Sequence, residues 1–313
     1  MEKIPLLDYT LVLGEFEKKG TTVVFKGMPS STPSETKETP AMGIILYPIL
    51  FKDGRIKATV KFDETSLNSA CGIIFDYFPF DNTRGSPYLQ YAGITNSDGY
   101  IYVNTYQANE SKNFSYRKQN LIEPQKEYEL VVDIRGYFMR LYVNDVLVGY
   151  CNVSKSIETN IGLHFLNIGS VHILNLEVDK KKPKAFVVMQ FSDDYKPIYE
   201  DVIRKVCEDK GFDVIRGDES LDTGMIISDI TRQIEESSVI IADITPNNPN
   251  VFYEVGYAHA LRKPTILMSD KTRGTLPFDV SGFRTIFYEN KIGGKNSVEK
   301  MLGDLLDNVV LGK

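Results

Sequence analysis

The stretch VIIADITPNNPNVFYEVGYAHALRKPTIL, residues 239–267, decides the fold of the C-terminal half of this chain. It joins an apolar run that ends in an acid to a polar turn, and the turn leads into an apolar segment with the character of a helix. A second apolar run begins at Thr265. Continuous apolar strands that alternate with helices are typical of a parallel sheet covered on both faces. The stretch therefore predicts one strand-helix-strand unit of such a sheet.

The same alternation extends over residues 184–313. Further apolar runs are separated by amphipathic segments, and they read AFVVMQF (185–191), FDVIR (212–216) and RTIFY (284–288). Strands that repeat in this way are joined by right-handed crossovers. The pattern predicts an α/β domain over residues 184–313, built on a doubly wound, flavodoxin-like parallel sheet.

Residues 1–179 show a different pattern, in which apolar and polar residues alternate over short segments. Examples are RIKATVKF (55–62), GIIFDYF (72–78), YELVVDI (128–134) and FMRLYVN (138–144). Alternation with a period of two is typical of half-buried strands, and turn residues lie between these segments. The pattern predicts an all-β, jelly-roll-like sandwich over residues 1–179. We expect the polar segment 30–40 to be a mobile loop and DKKKPK (179–184) to be a charged hinge.

Composition excludes several classes of protein. The 313 residues carry a formal net charge of -6, so no basic surface is expected for nucleic acid or an anionic membrane. The three cysteines lack metal-ligand spacing, and phosphate-binding glycine motifs are missing, so neither a metal nor a cofactor is predicted. The N-terminal residues lack the apolar run of a secretory signal, and no segment is long enough to span a membrane. These features predict a cytoplasmic protein.

Side chains at the strand exits are candidates for ligand binding, because open parallel sheets bind ligands beyond the carboxyl ends of their strands. Gln190 and Phe191 close the first predicted strand, Asp218 follows the second, and Asp243 ends the third. Aspartate also caps helices and fills turns in any fold of this class. The alternative for each of these residues is therefore a structural role.

Glu254 is the strongest candidate for a catalytic group. Asn248 or Asn250 is expected to cap its helix, with Pro249 at the first helical position. Its neighbours are apolar, so a partly desolvated carboxyl group facing a ligand cleft is predicted, which suits a nucleophile or a base. The alternative is a surface acid that complements the helix dipole. Asp229, on the preceding helix, is a second candidate, and its alternative is a solvated helix face.

The run ISDITRQIEESSVIIADITPNNPNVFYEVGYAHALRKPTIL, followed by LPFDVSGFRTIFY, resembles nucleoside 2-deoxyribosyltransferase-like domains and bacterial TIR-like domains over about residues 184–290. The resemblance implies that Glu254 attacks the anomeric carbon of an N-glycoside and that Asp229 assists the departing base. Asn248 and Asn250 stand where the transferases place an acid, which leaves the choice between ribose and 2'-deoxyribose open.

The same resemblance extends the predicted substrate-binding set to Tyr253 and Gly256. It implies cleavage or transfer of the N-glycosidic bond of a nucleoside, a nucleotide or NAD, with NAD as substrate and not as cofactor. It further implies a homo-oligomer, and the pairing with a sandwich is similar to that in bacterial antiphage effectors.

Two alternatives to this enzyme remain open. The first is a TIR-like module that senses a nucleotide or assembles without turnover. The second concerns the sandwich, whose stretch YELVVDIRGYFMRLYVNDVLVG (128–149) resembles concanavalin-type lectin and laminin-G domains in strand pattern. The sandwich is expected to be a sensor or oligomerisation domain that binds an unknown ligand or protein, and the alternative is a carbohydrate-binding part of a glycan-processing protein.

Overall fold

The computed structural model of the chain describes residues 1–27, 40–79, 88–97, 102–107, 110–111, 121–153, 158–217, 226–289 and 294–311. The chain divides into two compact units. The first unit consists of the described residues of Met1–Ile134, Met139–Asn152 and Glu158–Lys181. The second consists of those of Arg135–Phe138, Val153–Ile157 and Lys182–Lys313.

The first unit is built from two antiparallel sheets. One sheet has eight strands, in the order β13-β12-β11-β6-β15-β4-β3 with β1 paired to β15, and the other has seven, in the order β10-β9-β8-β7-β14-β5-β2. The strands are β1 (Glu2–Lys3), β2 (Thr10–Leu13), β3 (Phe16–Lys19), β4 (Thr22–Phe25), β5 (Ala41–Phe51), β6 (Asp53–Phe62), β7 (Ala70–Phe78), β8 (Tyr88–Thr95), β9 (Tyr102–Gln107), β10 (Glu110–Ser111), β11 (Glu127–Arg135), β12 (Phe138–Val143), β13 (Val146–Asn152), β14 (Thr159–Asn167) and β15 (Val171–Lys181).

The alternation read from the sequence corresponds to burial in these sheets. In β6 the alternate residues Ile56, Ala58, Val60 and Phe62 are fully buried, whereas the residues that separate them, Lys57, Thr59 and Lys61, are partly exposed. The hairpin between β12 and β13 turns at Asn144 and Asp145, which both have positive φ angles, of 49° and 63°. Two consecutive positive φ angles are the property of the type I′ turn that fits a tight hairpin.

Two predictions for connecting segments have different outcomes. The predicted mobile loop, residues 30–40, lies outside the described residues except for its last residue. The predicted charged hinge at residues 179–184 is mostly strand, because β15 continues through Lys181 and the next strand begins at Lys184, and its role as a hinge stays a prediction. Lys180 and Lys181 still pair with β6, which leaves Lys182 and Pro183 as the connection between the two strands.

The second unit contains a five-stranded parallel sheet in the order β17-β16-β18-β19-β20. Its strands are β16 (Lys184–Val188), β17 (Asp213–Arg216), β18 (Val239–Asp243), β19 (Thr265–Asp270) and β20 (Thr285–Tyr288). Its helices are α1 (Lys196–Ile198), α2 (Lys205–Asp209), α3 (Ile226–Glu236), α4 (Pro249–Ala260), α5 (Phe278–Ser281) and α6 (Lys295–Leu311). A π-helical segment, Tyr199–Arg204, joins α1 to α2, and a 3-10 helix, Lys271–Arg273, follows β19.

Successive residues of the parallel strands are buried on opposite faces of this sheet. Val187 and Met268 belong to a core cluster shared with α6, whereas Phe186 and Leu267 belong to a cluster shared with α4. Because both faces are covered, the strands need apolar residues at every position. This explains the continuous apolar runs in the sequence.

The predicted fold class, with a flavodoxin-like second domain, requires correction. Fifteen of the twenty strands in the described residues lie in the two antiparallel sheets, so the chain is mainly antiparallel β. The parallel sheet is small, and its helices are irregular: α1 and α2 have three and five residues, and α5 has four. Apolar periodicity predicted where chain segments are buried, but it could not show that one crossover helix is interrupted by a π-helical segment and another is a single turn.

Candidate functional site

A cleft of about 520 Å³ lies at the carboxyl edge of the parallel sheet, where three of the strands end. Thr245 follows β18, Asp270 ends β19, and Glu289 follows β20. The cleft is lined by Asp194, Tyr195, Thr245, Asp270, Lys271, Thr272 and Glu289. Its position agrees with the rule that open parallel sheets bind ligands beyond the carboxyl ends of their strands.

The polar groups of the cleft are held in place by hydrogen bonds. The backbone N–H of Asp270 donates to Oγ1 of Thr245 over 2.8 Å. Oδ1 of Asp270 accepts from the backbone N–H and the hydroxyl of Thr272, over 2.7 and 2.6 Å. The carboxylate of Asp270 thereby caps the 3-10 helix that follows β19. The cleft therefore presents an ordered set of hydroxyl and carboxyl groups.

Charge in the cleft is predominantly negative. Nζ of Lys271 lies 3.2 Å from Oε1 of Glu289, so these two exposed side chains form an ion pair at the cleft. Asp194 and Asp270 are the other two acids of the lining. One ammonium group against three carboxyl groups leaves an electrostatic environment that repels anions.

Asp243 lies at the end of β18, and its side chain is fully buried. Its Oδ1 accepts from the backbone N–H of Thr245 over 2.9 Å, and its Oδ2 accepts from the hydroxyl of Tyr288 over 2.5 Å. Burial raises the pKa of Asp243 to about 6, although both hydrogen bonds favour the ionised form. The structure thus places Asp243 behind the cleft and not on its surface, so its predicted direct contact with a ligand stays a prediction.

Glu254 lies in the second turn of α4, where the sequence places it among apolar residues. Asn248 caps this helix, because its side chain accepts from the backbone N–H of Asn250 over 3.0 Å, and Pro249 begins the helix. Burial raises the pKa of Glu254 to about 7. Glu254 is not among the residues that line the cleft. A desolvated carboxyl group of this kind is a candidate for proton transfer.

The structure does not bring the remaining predicted residues of α3 and α4 into the cleft. Asp229 forms an ion pair with Arg232, whose Nη2 donates to its Oδ1 over 3.0 Å. Only 14% of the Asp229 side chain is exposed, so the alternative of a solvated helix face does not describe it, and its catalytic role stays a prediction. Tyr253 is exposed. At Gly256 an added Cβ would find open space within 4 Å, so packing between described residues does not require this glycine.

Three predicted substrate-binding residues, Gln190, Phe191 and Asp218, follow the first two strands of the second unit. Gln190 and Phe191 follow β16, and both are partly buried. The ring of Phe191 packs edge-on against Tyr199 and lies 4.7 Å from the guanidinium of Arg216, so it has a packing role. Asp218 lies outside the described residues.

The rings of two histidines pack against aromatic side chains, which is typical of a structural role. The ring of His259 stacks on Phe283 with centroids 4.2 Å apart, and the ring of His164 stacks on Tyr91 at 4.4 Å. Burial lowers the pKa of His164 to about 4. Within the described part of the chain, no group of three or more His, Cys, Asp or Glu side chains has the geometry of a metal site.

Several cleft residues escaped prediction from the sequence. Glu289 directly follows a predicted strand, and Lys271 and Thr272 lie within three residues of another, which is the signal that could have identified them. Tyr195 precedes α1, and only the order of the strands brings it beside Thr245.

Comparison with known proteins gives no family for the chain. No family model matches it, and no curated protein matches it. Solved structures similar to it over about half its length include a carbohydrate-binding module from Bacillus subtilis (14% identity, 55% of this chain and 96% of that chain, TM-score 0.42). Others are the β-glucanase of Bacillus licheniformis (11%, 58% and 99%, 0.40) and an endo-β-galactosidase of Clostridium perfringens that releases GlcNAcα1-4Gal (8%, 55% and 57%, 0.41). Similarities this low do not assign a function.

These comparisons do not support the resemblance to nucleoside 2-deoxyribosyltransferase-like and TIR-like domains. None of the three named structures belongs to those classes, and two of the three are glycosidases by name. The N-glycosidase prediction is corrected accordingly. The short pattern of Glu254, Gly256 and Ala258 occurs in a helix that any strand-helix-strand unit can contain, so it did not identify a family.

The predictions that depended on this resemblance are corrected with it. They are the cleavage or transfer of an N-glycosidic bond, the nucleoside, nucleotide or NAD substrate, the nucleotide-sensing alternative and the antiphage role. The homo-oligomer stays a prediction. The acid-lined cleft gives a physical reason against phosphate-bearing ligands, because carboxylates repel phosphate groups. Among the residues that the structure describes, no helix is long and apolar enough to cross a membrane.

Proposed function

We propose that the second unit binds a saccharide in the cleft at the carboxyl edge of its parallel sheet. The observation that carries this proposal is the lining of the cleft, which combines carboxyl and hydroxyl groups with one aromatic ring. The volume of about 520 Å³ suits a mono- or disaccharide-sized ligand, since pockets for small molecules span roughly 300–1,000 Å³.

The chemistry of the lining matches a polyhydroxylated ligand. A sugar hydroxyl donates to a carboxylate and accepts from a hydroxyl or an ammonium group, and Asp270, Thr245 and Lys271 supply these partners. The ring of Tyr195 supplies an apolar surface for the C–H face of a pyranose. A neutral saccharide also avoids the repulsion that an anionic ligand meets beside three acids.

A second candidate function is hydrolysis of a glycosidic bond in the bound saccharide, with Glu254 as the proton donor. The observation that favours it is the pKa of Glu254, which burial raises to about 7. A carboxyl group that stays protonated near neutral pH can give its proton to the departing oxygen of a glycoside as the C–O bond breaks. Water then adds to the anomeric carbon and releases a proton that restores the carboxyl group. Glu254 does not line the cleft, so this function requires a saccharide that extends beyond the cleft lining to α4.

Binding can be tested by measuring thermal unfolding of the full chain with neutral mono- and disaccharides, with AMP and with NAD. Ligands that bind the native state raise the unfolding temperature. We expect stabilisation by at least one saccharide and none by the nucleotides. Stabilisation by nucleotides alone, or by none of the saccharides, would contradict the proposal.

Hydrolysis can be tested with any oligosaccharide that binds, by following its products chromatographically with the native protein and with Glu254→Gln. Products from the native protein alone are expected, because glutamine cannot donate the proton. Equal rates from both proteins would exclude Glu254 as the donor. Binding without products would exclude hydrolysis of that saccharide and leave the binding function.

A further inference from the structure

A continuous chain of hydrogen bonds runs from the buried carboxylate of Asp243 to the surface of the cleft. Asp243 accepts from the backbone N–H of Thr245, and Oγ1 of Thr245 accepts from the backbone N–H of Asp270. The carboxylate of Asp270 accepts both donors of Thr272. Thr245, Asp270 and Thr272 line the cleft, whereas Asp243 does not.

The buried end of this chain is fixed from a second strand. The hydroxyl of Tyr288, in β20, donates to Oδ2 of Asp243, so the carboxylate joins β18 to β20 across β19. Oγ of Ser269, in β19, lies 3.2 Å from Oγ1 of Thr245. Three strands thus contribute to the position of one cleft hydroxyl group.

We propose that Asp243 is a positioning residue, which holds Thr245 and Asp270 in the arrangement with which the cleft binds its ligand. This inference rests on the proposed saccharide site. It assigns Asp243 no contact with the ligand, because its side chain is fully buried and both its oxygens accept hydrogen bonds from the protein.

The positioning depends on the charge of Asp243. An ionised carboxylate accepts on both oxygens, whereas a protonated one carries a hydrogen on one oxygen and opposes a donor there. The charged and titratable groups that face Asp243 are Tyr288 from β20, Tyr195 from the segment before α1, Asp270 from β19 and Arg273 from the 3-10 helix. Burial and Asp270 disfavour the carboxylate, and the hydrogen bonds and Arg273 favour it.

These opposing effects place the change of charge near pH 6, since the pKa of Asp243 is raised to about 6. Affinity for the ligand is therefore expected to fall as the pH drops through about 6. A single linked proton changes the dissociation constant by at most about tenfold per pH unit. The expected weakening between about pH 7.5 and pH 5 is roughly three- to tenfold.

The experiment measures the affinity of a saccharide that stabilises the native protein, by calorimetry between about pH 5 and pH 8, for the native protein and for Asp243→Asn. The variant is expected to bind more weakly at pH 7.5 and to show no change in affinity near pH 6. Native affinity and a native pH profile in Asp243→Asn would overturn the inference. If the native protein binds no saccharide at any pH, it is the proposed function that fails.

A second variant keeps the test decisive if Asp243→Asn does not fold. Tyr288→Phe retains the carboxylate but removes a donor that favours its ionised form. The midpoint of the affinity profile is then expected to move to higher pH. An unchanged midpoint in Tyr288→Phe would overturn the positioning role, because a purely structural tyrosine has no effect on that midpoint.

Discussion

The hydroxyl of Tyr288 donates a hydrogen bond of 2.5 Å to the buried carboxylate of Asp243, and this bond links two strands that are not neighbours in the parallel sheet. Both residues lie at the carboxyl edge, directly behind the cleft. The bond therefore couples the stability of the sheet edge to the protonation of Asp243.

Replacing Tyr288 by phenylalanine should destabilise the protein in a pH-dependent way. A hydrogen bond to a charged group contributes about 1.5–3 kcal/mol, so we expect a loss of that size at about pH 8, where Asp243 is ionised. The loss should be smaller at about pH 5, where the carboxyl group is protonated. Urea unfolding of both proteins at the two pH values measures the difference.

The matched control is Tyr257→Phe, which removes the hydrogen bond of 2.7 Å from Tyr257 to Glu235 on the surface of α3 and α4. This bond is less buried, so a smaller loss is expected. Equal losses at both pH values for Tyr288→Phe would contradict the role of Asp243 as its charged partner.

Buried carboxyl groups should make the protein less stable as the pH rises from about 4 to 7. The pKa of Glu254 is raised to about 7 and that of Asp243 to about 6, so the folded state holds protons that the unfolded state releases. Stability is therefore lost as the pH rises through this window. Glu254→Gln should remove part of the loss, so its stability relative to the native protein should increase up to about pH 7.

Urea unfolding at several pH values tests this sign directly. Glu299→Gln is the control, since this partly exposed acid lies on a different helix, α6. A native protein that gains stability over the same window, in parallel with Glu254→Gln, would show that Glu254 is not desolvated.

Removing the cap of α4 should lower stability modestly. Asn248→Ala deletes the side chain that accepts from the backbone of Asn250, and loss of such a cap costs about 1 kcal/mol. Asn250→Ala is the control, because its side chain is exposed and does not cap the helix. Thermal or urea unfolding compares the stability of the two variants. A larger loss of stability for Asn250→Ala would contradict the assignment of Asn248 as the cap.

Lys263 should contribute more to stability than a surface lysine. Its buried ammonium group donates to the carbonyl oxygens of Glu235 and Ser237 and lies 5.0 Å from the centre of the Tyr137 ring. Lys263→Met leaves those carbonyl groups without their charged donor, and a loss of about 2–3 kcal/mol is expected. The exposed Lys300→Met should change stability by less than about 0.5 kcal/mol, and similar values for the two variants would contradict this role.

The features that could be predicted from the sequence are those that depend on residues adjacent in the chain. The apolar run ending at Asp243 is a buried parallel strand, the cap of α4 is Asn248, and the turn at Asn144 and Asp145 joins two strands. In each case a few consecutive residues set the local conformation. Periodicity and cap chemistry are therefore sufficient there.

The composition of the cleft depends on strand order, which periodicity does not reveal. Glu289 and Lys271 are 18 residues apart, and Tyr195 is more distant still, yet all three line one cleft. Glu254 was predicted to face that cleft because its neighbours are apolar, but apolar neighbours only show that the group is partly buried. The short pattern of Glu254, Gly256 and Ala258 also suggested a resemblance to a family of transferases. A short pattern does not determine the fold in which it lies, so it was not sufficient to identify a family.

The most direct test of the account is calorimetric titration of a stabilising saccharide into the native protein, Glu289→Gln, Asp194→Asn and the control Asp304→Asn. The first two variants alter exposed carboxyl groups of the cleft, and Asp304 is an exposed acid on α6. We predict that the cleft variants raise the dissociation constant about tenfold, as expected for the loss of a charged hydrogen bond, and that the control matches the native protein. Native affinity in both cleft variants would contradict a saccharide site in this cleft.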